Sequence, residues 1–371
     1  YGFAVMLLKI LADRNPRMVA VCFDKGKITF RHGEYETYKG TRRATPDELR
    51  PQFPLIKEML SVMGIAALEM EGYEADDLIG TMVDLAEKEK MPLIAASAEK
   101  RFFVPARKYI FSVIPLYEDQ AKLVFEYVFN DMKLKNPTIA LMYTDVGAGK
   151  DTRDTVRELA KVYPVTAYKD VPFTMGALDF TSEMLNLKRL KPDVVYIHGY
   201  VTDTAMIIKS AYRMGLSSTF IVSQYSCVPQ TLEIAGKAAT KIAGKEGTGL
   251  LGINCFGMWE NNSPGVKKLR KGSLAYDPNV HYRDTNFFQG WFVGMLFYEG
   301  FKNAGRNLTT ETFLNGLEAM KDFDMQGIAG PITLNPNDHY SIKSSRIYKV
   351  NPDKNSFVPI TDWRKPKKYD F

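Results

Sequence analysis

Short apolar runs and longer amphipathic stretches alternate along most of the chain, the pattern of a layered α/β protein. In the front part the apolar run 18–23 reads as a strand closed by Asp24, a polar basic loop follows, and helices are expected over about 46–64 and 74–90. The Glu- and Lys-rich end of the second helix gives way to the apolar run 92–96, read as a short buried strand. Further on, strands are expected at 138–142, 165–168, 193–198 and 219–222, with helices over about 151–162, 181–190 and 202–214. That alternation predicts a doubly wound parallel sheet. The texture changes at 87–103, EKEKMPLIAASAEKRFF: the text before it and the text after it read as parts of two unrelated proteins. A helix-to-strand step is common to most α/β folds, so a join here leaves local structure intact.

Composition changes this picture little. With 371 residues, 45% hydrophobic and 25% charged, the chain has the make-up of a globular protein of two or three domains. The net charge of +6 is modest, and the densest basic runs, 267–271 and 364–368, are short. They read as solvated charge, because nucleic-acid binding wants a continuous basic face. Cys22, Cys227 and Cys255 lack metal-ligand spacing and read as small core residues. The chain opens at Tyr1 inside an apolar helix-like run, 1–12, as though cut at its front. With no signal-peptide pattern and no apolar run of membrane-spanning length, the chain as written is expected to stay in the cytoplasm.

Candidate chemistry in the front part is acidic. A carboxylate at the C-terminal end of a parallel strand sits where such sheets place ligands, which makes Asp24 a candidate. GYEADD at 72–77 sets Glu74, Asp76 and Asp77 within one helical turn. Acids at a helix N-terminus ordinarily favour the dipole by about 0.3–1 kcal/mol each. Three crowded together repel, and a divalent cation relieves that repulsion. At these residues, FDKGKITFRHGEYETYKGTRRATPDELRPQF at 23–53 and EGYEADDLIGT at 71–81, residues 1–91 resemble the 5′-nuclease domain of bacterial DNA polymerase I, of the flap-endonuclease family. The resemblance implies magnesium held by Asp24, Glu74, Asp76 and Asp77, activating water for phosphodiester hydrolysis. It implies Arg31 and Lys39 at the scissile phosphate and Tyr38 and Arg42 on the DNA side, where cations offset the charge of the phosphate. The segment departs from that family in two places. The family's first strand, with its own metal-binding Asp, would precede Tyr1, and Ala95-Ala96-Ser97-Ala98-Glu99 stands where a Thr-x-Asp-x-Asp-like turn is expected. The family's later DNA-tracking helices are missing as well, so nuclease activity is expected to be absent or very weak.

In the rest of the chain the glycine-rich stretch DVGAGKD at 145–151 invites a phosphate-loop reading, which fails on spacing and on Asp151 where Ser or Thr is required. It is read as a turn ahead of the helix from 151. His198, at a strand's end, reads as a turn or core histidine, and the aromatic stretch 285–301 as core packing. No Ser-His-Asp, Cys-His or paired-carboxylate arrangement can be argued here. The informative signal is an ordered set of phrases: MPLIAASA at 91–98, KYIFSVIP at 108–115, LDFTSEMLNLKRLKPDVVYIHGY at 178–200, DTNFFQGW at 284–291, GPITLNPNDHY at 330–340 and SFVPITDWRK at 356–365. Together they resemble a type I periplasmic solute-binding protein, of the branched-chain amino-acid receptors of ATP-binding-cassette (ABC) importers.

That resemblance implies two α/β lobes with doubly wound parallel sheets, joined by a three-stranded hinge and closing on a small ligand. Hinge crossings are expected near Pro115, at 252–254 and at 330–331, which gives a partial lobe I from 92–115 plus 252–330 and a lobe II from 116–251 plus 331–371. Residues 1–91 precede these as an incomplete α/β nuclease segment and occupy the place of the front of lobe I, where strand 18–23 and helix 74–90 are expected beside strand 92–96 in a hybrid lobe. By resemblance Ala96, Ser97 and Ala98 bind the ligand carboxylate and Tyr200 packs from the opposing lobe. Gln224 falls where relatives hold the ligand's α-ammonium with an acid, and Val146 where many carry Tyr. A neutral amide there forfeits a charge-assisted hydrogen bond worth about 1.5–3 kcal/mol.

The leading expectation is a non-enzymatic receptor-like protein without a cofactor, capturing an amino-acid-like or carboxylate solute for ABC-type import. Its partners would be the membrane subunits of the transporter, and its place the periplasm or cell surface. The alternative is a magnesium-dependent 5′-3′ exonuclease fragment with DNA as partner; a third is a fusion with no joint function.

Overall fold

The computed structural model describes residues 20–23, 25–29, 51–73, 75–90, 92–95, 100, 103–177 and 179–369. The chain divides into two units, Tyr1–Glu89 and Lys90–Phe371.

In the first unit the described elements are β1 (Ala20–Cys22), β2 (Lys25–Thr29), α1 (Gln52–Val62), β3 (Ala66–Leu68), β4 (Glu71–Gly72) and α2 (Ala75–Lys88). β1 pairs in parallel with β3, and β2 in parallel with β4. The apolar face of α1 buries Leu60 next to Ile65, with Val21, Phe23, Ile56, Met59 and Met63 packed against them. α1 stops at Gly64, whose φ of 68° is the left-handed conformation that glycine adopts without steric cost.

The second unit opens with β5 (Leu93–Ala95) and β6 (Ile110–Ser112), paired in parallel, then α3 (Tyr117–Glu126), which runs into a π-helical turn over Tyr127–Asp131. There follow β7 (Thr138–Thr144), α4 (Gly147–Val162), β8 (Ala167–Phe173), α5 (Thr181–Leu190), β9 (Val194–His198), α6 (Val201–Arg213), β10 (Thr219–Val222), α7 (Pro229–Ala235), α8 (Lys237–Ala243) and β11 (Leu250–Asn254). Three helices, α9 (Pro264–Tyr276), α10 (Thr285–Ala304) and α11 (Thr310–Glu318), precede the closing hairpin β12 (Arg346–Asn351) and β13 (Ser356–Pro359).

Seven strands form one sheet in the order β13-β12-β11-β10-β9-β7-β8. β8, β7, β9, β10 and β11 are mutually parallel, and β12 and β13 add antiparallel at one edge. The doubly wound parallel sheet expected from the alternation is therefore present. Chain order reverses direction at β7, which has β8 on one side and β9 on the other. Helices cover both faces, as right-handed crossovers on either side of a reversal demand. Ile139, Leu141, Val194 and Tyr196 face α3 and α4, while Ala140, Met142, Val195 and Ile197 face α5, α6 and the α7–α8 pair. Strands buried on both sides read as nearly continuous apolar runs, which is why β7 and β9 are legible in the sequence.

Three expectations need correction. Residues 147–150 are the first turn of α4, not a loop: a Cβ at Gly149 would stand 1.9 Å from the Thr144 carbonyl oxygen, so glycine is what lets a helix begin hard against the end of β7. The aromatic stretch in α10 is core on one face only. Phe288, Phe292 and Leu296 are buried, whereas Tyr298 is 70% and Phe301 45% exposed. The basic runs are not simply solvated, since Arg364 grips Asp131 through two bonds of 2.7 and 2.8 Å and Arg270 donates to the Trp259 carbonyl at 2.9 Å.

A further cluster unites β6 with α9, α10, α11 and the segment between α11 and β12, including Phe111, Phe256, Phe292, Leu317 and Ile332. The chain passes between this cluster and the sheet after Ile114 and after Asn254. Its third passage falls between Ile342, which packs in the cluster, and Arg346, which opens β12, later than the expected 330–331. At the passages Ser112 N–H donates to the His339 carbonyl at 3.0 Å and Ser341 N–H to the Ser112 carbonyl at 3.2 Å. The Asn254 amide donates to the Cys227 carbonyl and to the Thr285 hydroxyl. Cys227 and Cys255 are fully buried free thiols and Cys22 is half-buried.

Candidate ligand-binding site

In an open parallel sheet a crevice forms outside the carboxyl ends of the strands where strand order reverses. Here that point lies between β7 and β9, whose last residues are Thr144 and His198. α4 leaves β7 at Val146 and α6 leaves β9 at Tyr200, and neither helix has a side-chain hydrogen bond capping its N-terminus. Two partly positive helix ends thus converge on one side of the sheet edge.

Around this point the side chains are aromatic and uncharged. His198 is 2% exposed; its Nδ1 lies 2.7 Å from the Thr152 hydroxyl on α4. Burial pushes its imidazole pKa down to about 4, so the ring is neutral. Tyr117 and Tyr225 stand edge-on to it, with centroids 5.0 and 6.3 Å away, and their hydroxyls bond each other at 2.7 Å. Burial raises the Tyr225 phenol to about 12, which keeps that bond between neutral groups. Tyr200 leans on Tyr225 at 5.3 Å. Gln224, 2% exposed, accepts a hydrogen bond from the Cys255 thiol at 3.2 Å. Val146 and Tyr225 also pack on the cluster built from β6, α9, α10 and α11.

Among the described residues, open volume lies beside this wall. A cavity of about 410 Å³ is lined by Tyr117 together with Lys100, Leu116, Glu118, Asp151, Asp154 and Thr155. A larger groove of about 720 Å³ continues along α4 past Arg157 and Lys161 to Tyr168. Its mixed charges pair with each other, as in Lys100 with Glu118 at 3.2 Å and Arg157 with Asp154 at 3.8 Å, so the groove itself is an exposed helix flank.

Of the residues expected to bind ligand, Tyr200 packs on Tyr225, and Gln224, next to Tyr225 in the chain, is bonded to Cys255. Ala96, Ser97 and Ala98 lie outside the described residues, as do Asp24, Arg31, Tyr38, Lys39, Arg42 and Glu74. Asp76 falls in α2 with its side chain outside the described set; Asp77, half-buried, follows it in that helix. Among the described residues no three His, Cys, Asp or Glu side chains converge to hold a metal ion. Sequence reasoning gives no site role to Tyr117, Thr152, Tyr225 or Cys255, and reads His198 as structural. His198 carries a usable signal, a polar residue ending an apolar strand beside a sheet reversal. Tyr117, at the start of α3, and Tyr225, in the loop after β10, are brought together only by folding.

Residues 75–355 match the family model described as periplasmic binding protein. The chain belongs to the periplasmic binding protein family. Residues 1–127 match the model for the 5′-3′ exonuclease N-terminal resolvase-like domain, so the two matches overlap over 75–127. Over 100 residues the chain is 49% identical to DNA polymerase I of Geobacillus stearothermophilus and 48% identical to that of Bacillus subtilis, covering 27% of this chain and 11% of either relative. It thus spans about a tenth of the length of those curated relatives. Among solved structures, a branched-chain amino-acid ABC transporter protein of Thermus thermophilus with bound valine matches at a TM-score of 0.65 and 20% identity, over 94% of this chain and 97% of that one. A leucine-binding protein of Thermotoga maritima matches at 0.62 and 17%, over 94% and 99%. A fatty acid ABC transporter substrate-binding protein of Thermomonospora curvata matches at 0.66 and 16%, over 94% and 92%. At these identities the likeness speaks for the fold.

Proposed function

We propose that this protein is a solute-binding receptor that captures a small organic acid or amino acid at the carboxyl edge of β7, β9 and β10 and presents it to the membrane subunits of an ABC importer. The observation that carries this is the wall at the sheet reversal, where Tyr117, His198, Tyr200, Gln224 and Tyr225 meet between two uncapped helix N-termini, beside the cluster built from β6, α9, α10 and α11. Such a crevice suits capture by closure, in which ligand contacts to both lobes shift an open–closed equilibrium. The proposed place of action is the periplasm or the cell surface. Structural neighbours named for valine, leucine and fatty acid support the receptor reading and leave the ligand class open.

The test is isothermal titration of the purified chain with a panel of amino acids, hydroxy acids, fatty acids and aromatic acids, followed by thermal unfolding with any hit. Saturation at a hundred times the dissociation constant is expected to add about 2.7 kcal/mol to native stability. One-to-one binding weakened by Tyr200→Ala supports the reading; binding that ignores Tyr200→Ala and Gln224→Ala places the ligand elsewhere and defeats it.

A second reading rests on the front match to DNA polymerase I. In it Asp24, Glu74, Asp76 and Asp77 hold magnesium that supplies an activated water for phosphodiester hydrolysis, with Arg31 and Lys39 at the phosphate and Tyr38 and Arg42 toward DNA. Magnesium-dependent cleavage of a flapped DNA, abolished by Asp77→Ala, is the outcome that would favour it.

A further inference from the structure

Within the receptor reading, on which this inference rests, the chemistry of the wall narrows the ligand. The side chains that meet at the sheet reversal are uncharged: Tyr117, Val146, His198, Tyr200, Gln224 and Tyr225. The helix ends of α4 and α6 bring partial positive charge to the same place, where an ammonium is repelled and a lone pair is welcome. Of the three carboxylates that line the adjoining cavity, Glu118 pairs with Lys100 and Lys122 at 3.2 and 3.4 Å and Asp154 with Arg153 and Arg157 at 2.7 and 3.8 Å; Asp151 is the third. The one carboxylate in the first turn of either helix, Asp203 of α6, is buried and already accepts the Gly176 N–H at 2.8 Å, so an ammonium docked on this wall would lose its hydration for little counter-charge.

Two polar atoms at the strand ends are buried and, among the described residues, have no hydrogen-bond partner: Nε2 of His198 and Oγ1 of Thr144. Buried polar groups without partners carry a free-energy penalty that a ligand atom can remove. Thr152 Oγ1 lies 2.7 Å from Nδ1 of His198 and 3.2 Å from the Ala148 carbonyl. Its single proton can serve only one of these, so the neutral imidazole offers at Nε2 either a lone pair or an N–H. A hydroxyl can meet both cases, since it donates and accepts; an ammonium can only donate. The other candidate acceptor, Gln224 Oε1, already receives the Cys255 thiol, and the Tyr117 and Tyr225 hydroxyls serve each other.

We propose that the wall at the ends of β7 and β9 recognises a hydroxyl, so that the ligand is a hydroxy-substituted carboxylic acid rather than an amino acid, with His198 as the specificity-determining partner of that hydroxyl. Tyr117 and Tyr225 screen the contact from water.

The test uses matched pairs that differ in one group: L-leucine against (S)-2-hydroxy-4-methylpentanoate, and L-phenylalanine against (S)-3-phenyllactate, titrated calorimetrically into the full chain. The hydroxy acid of a pair is expected to bind about tenfold or more tightly than its amino acid, the scale of satisfying one buried polar group that is otherwise without a partner. His198→Phe, which keeps a ring between the two tyrosines, is expected to remove that preference, and Gln224→Glu to turn it toward the amino acid. Tighter binding of the amino acids, or an undiminished preference in both variants, overturns the inference and leaves the receptor reading standing. Binding of no member of either pair, together with no hit in the wider panel, overturns both. The wild-type pairs decide the matter even where a variant fails to fold.

Discussion

The front unit and the seven-stranded sheet part company over what likeness in sequence means. The front unit, up to Glu89, lies within the 1–127 match to the exonuclease domain, and 100 residues of the chain are 49% identical to DNA polymerase I, yet the buried cluster described in that unit consists of Leu60 and Ile65 with five partly buried neighbours. The sheet stands in a match of only 20% identity to a solved receptor, and it is packed on both faces by two large clusters. Identity records descent, while independent stability follows apolar area removed from water, which grows with the size of a continuous core. The same contrast separates the sites. In the front, four acids in the sequence name a chemistry, and Asp24, Glu74 and the Asp76 side chain lie outside the described residues. At the sheet edge, residues without a motif form a wall with bonded hydroxyls and a buried imidazole.

The largest effect is expected when one large side chain is removed from each region. Phe220, fully buried between β10 and the helices on its face, becomes a cavity in Phe220→Ala, with an expected loss of about 3–5 kcal/mol. Differential scanning calorimetry should show the main unfolding transition falling accordingly, while Leu60→Ala leaves that transition within error. Equal drops for both would mean that the front unit and the sheet unfold as one body, and the contrast would collapse.

Acid is expected to act on the sheet edge, where the buried neutral histidine lies. His198 has a folded pKa depressed from 6.5 to about 4 by burial, so as the pH falls below 6.5 the unfolded chain takes up the proton first. Stability is expected to decline with falling pH across that window and to level off near pH 4, by roughly 3 kcal/mol for this group alone. Denaturant midpoints measured from pH 7 to 4 in the wild type and in His198→Phe isolate it, since other titrating groups cancel in the difference. Parallel pH profiles for the two proteins would mean that the ring is solvated.

A smaller effect is expected at the junction of β7 and α4. Gly149→Ala forces a methyl group against the Thr144 carbonyl, and overpacking of this kind costs about 1–3 kcal/mol as the helix start is displaced. The variant should also weaken binding of any ligand found at the wall, because Val146 and Thr152 move with the helix. A variant as stable as the wild type that binds unchanged would show that the helix start tolerates displacement and that the wall does not depend on it.

Particular residues show how far the sequence can be read. β9 and β10 fall almost to the residue where the pattern puts them, since strands covered on both faces are runs of Val, Ile, Tyr and Phe between helices of clear period. The strand expected at 165–168 instead extends over Ala167–Phe173, because pairing with all of β7 holds polar Lys169 and Asp170 in an extended register that local pattern does not reveal. Tyr200 and Gln224 are reached through resemblance, and the structure shows Tyr200 against Tyr225 and Gln224 bonded to Cys255; Tyr117, Tyr225 and Cys255 are not reached, since they lie far apart in the chain and carry no spacing that marks them.

By itself, then, the order of apolar and polar residues determined the class of fold, the sequence of strands and helices from β7 to β10, and the break in texture near residue 90. Those properties are local, set by side-chain periodicity and by the few connections that chirality allows. Only the tertiary structure decided that Gly147 begins a helix, that one aromatic face of α10 stays exposed, and that His198 is buried with its Nε2 unpartnered among the described residues. Each depends on which distant segment arrives to cover or meet a residue, and burial and hydrogen-bond satisfaction are properties of the packed whole.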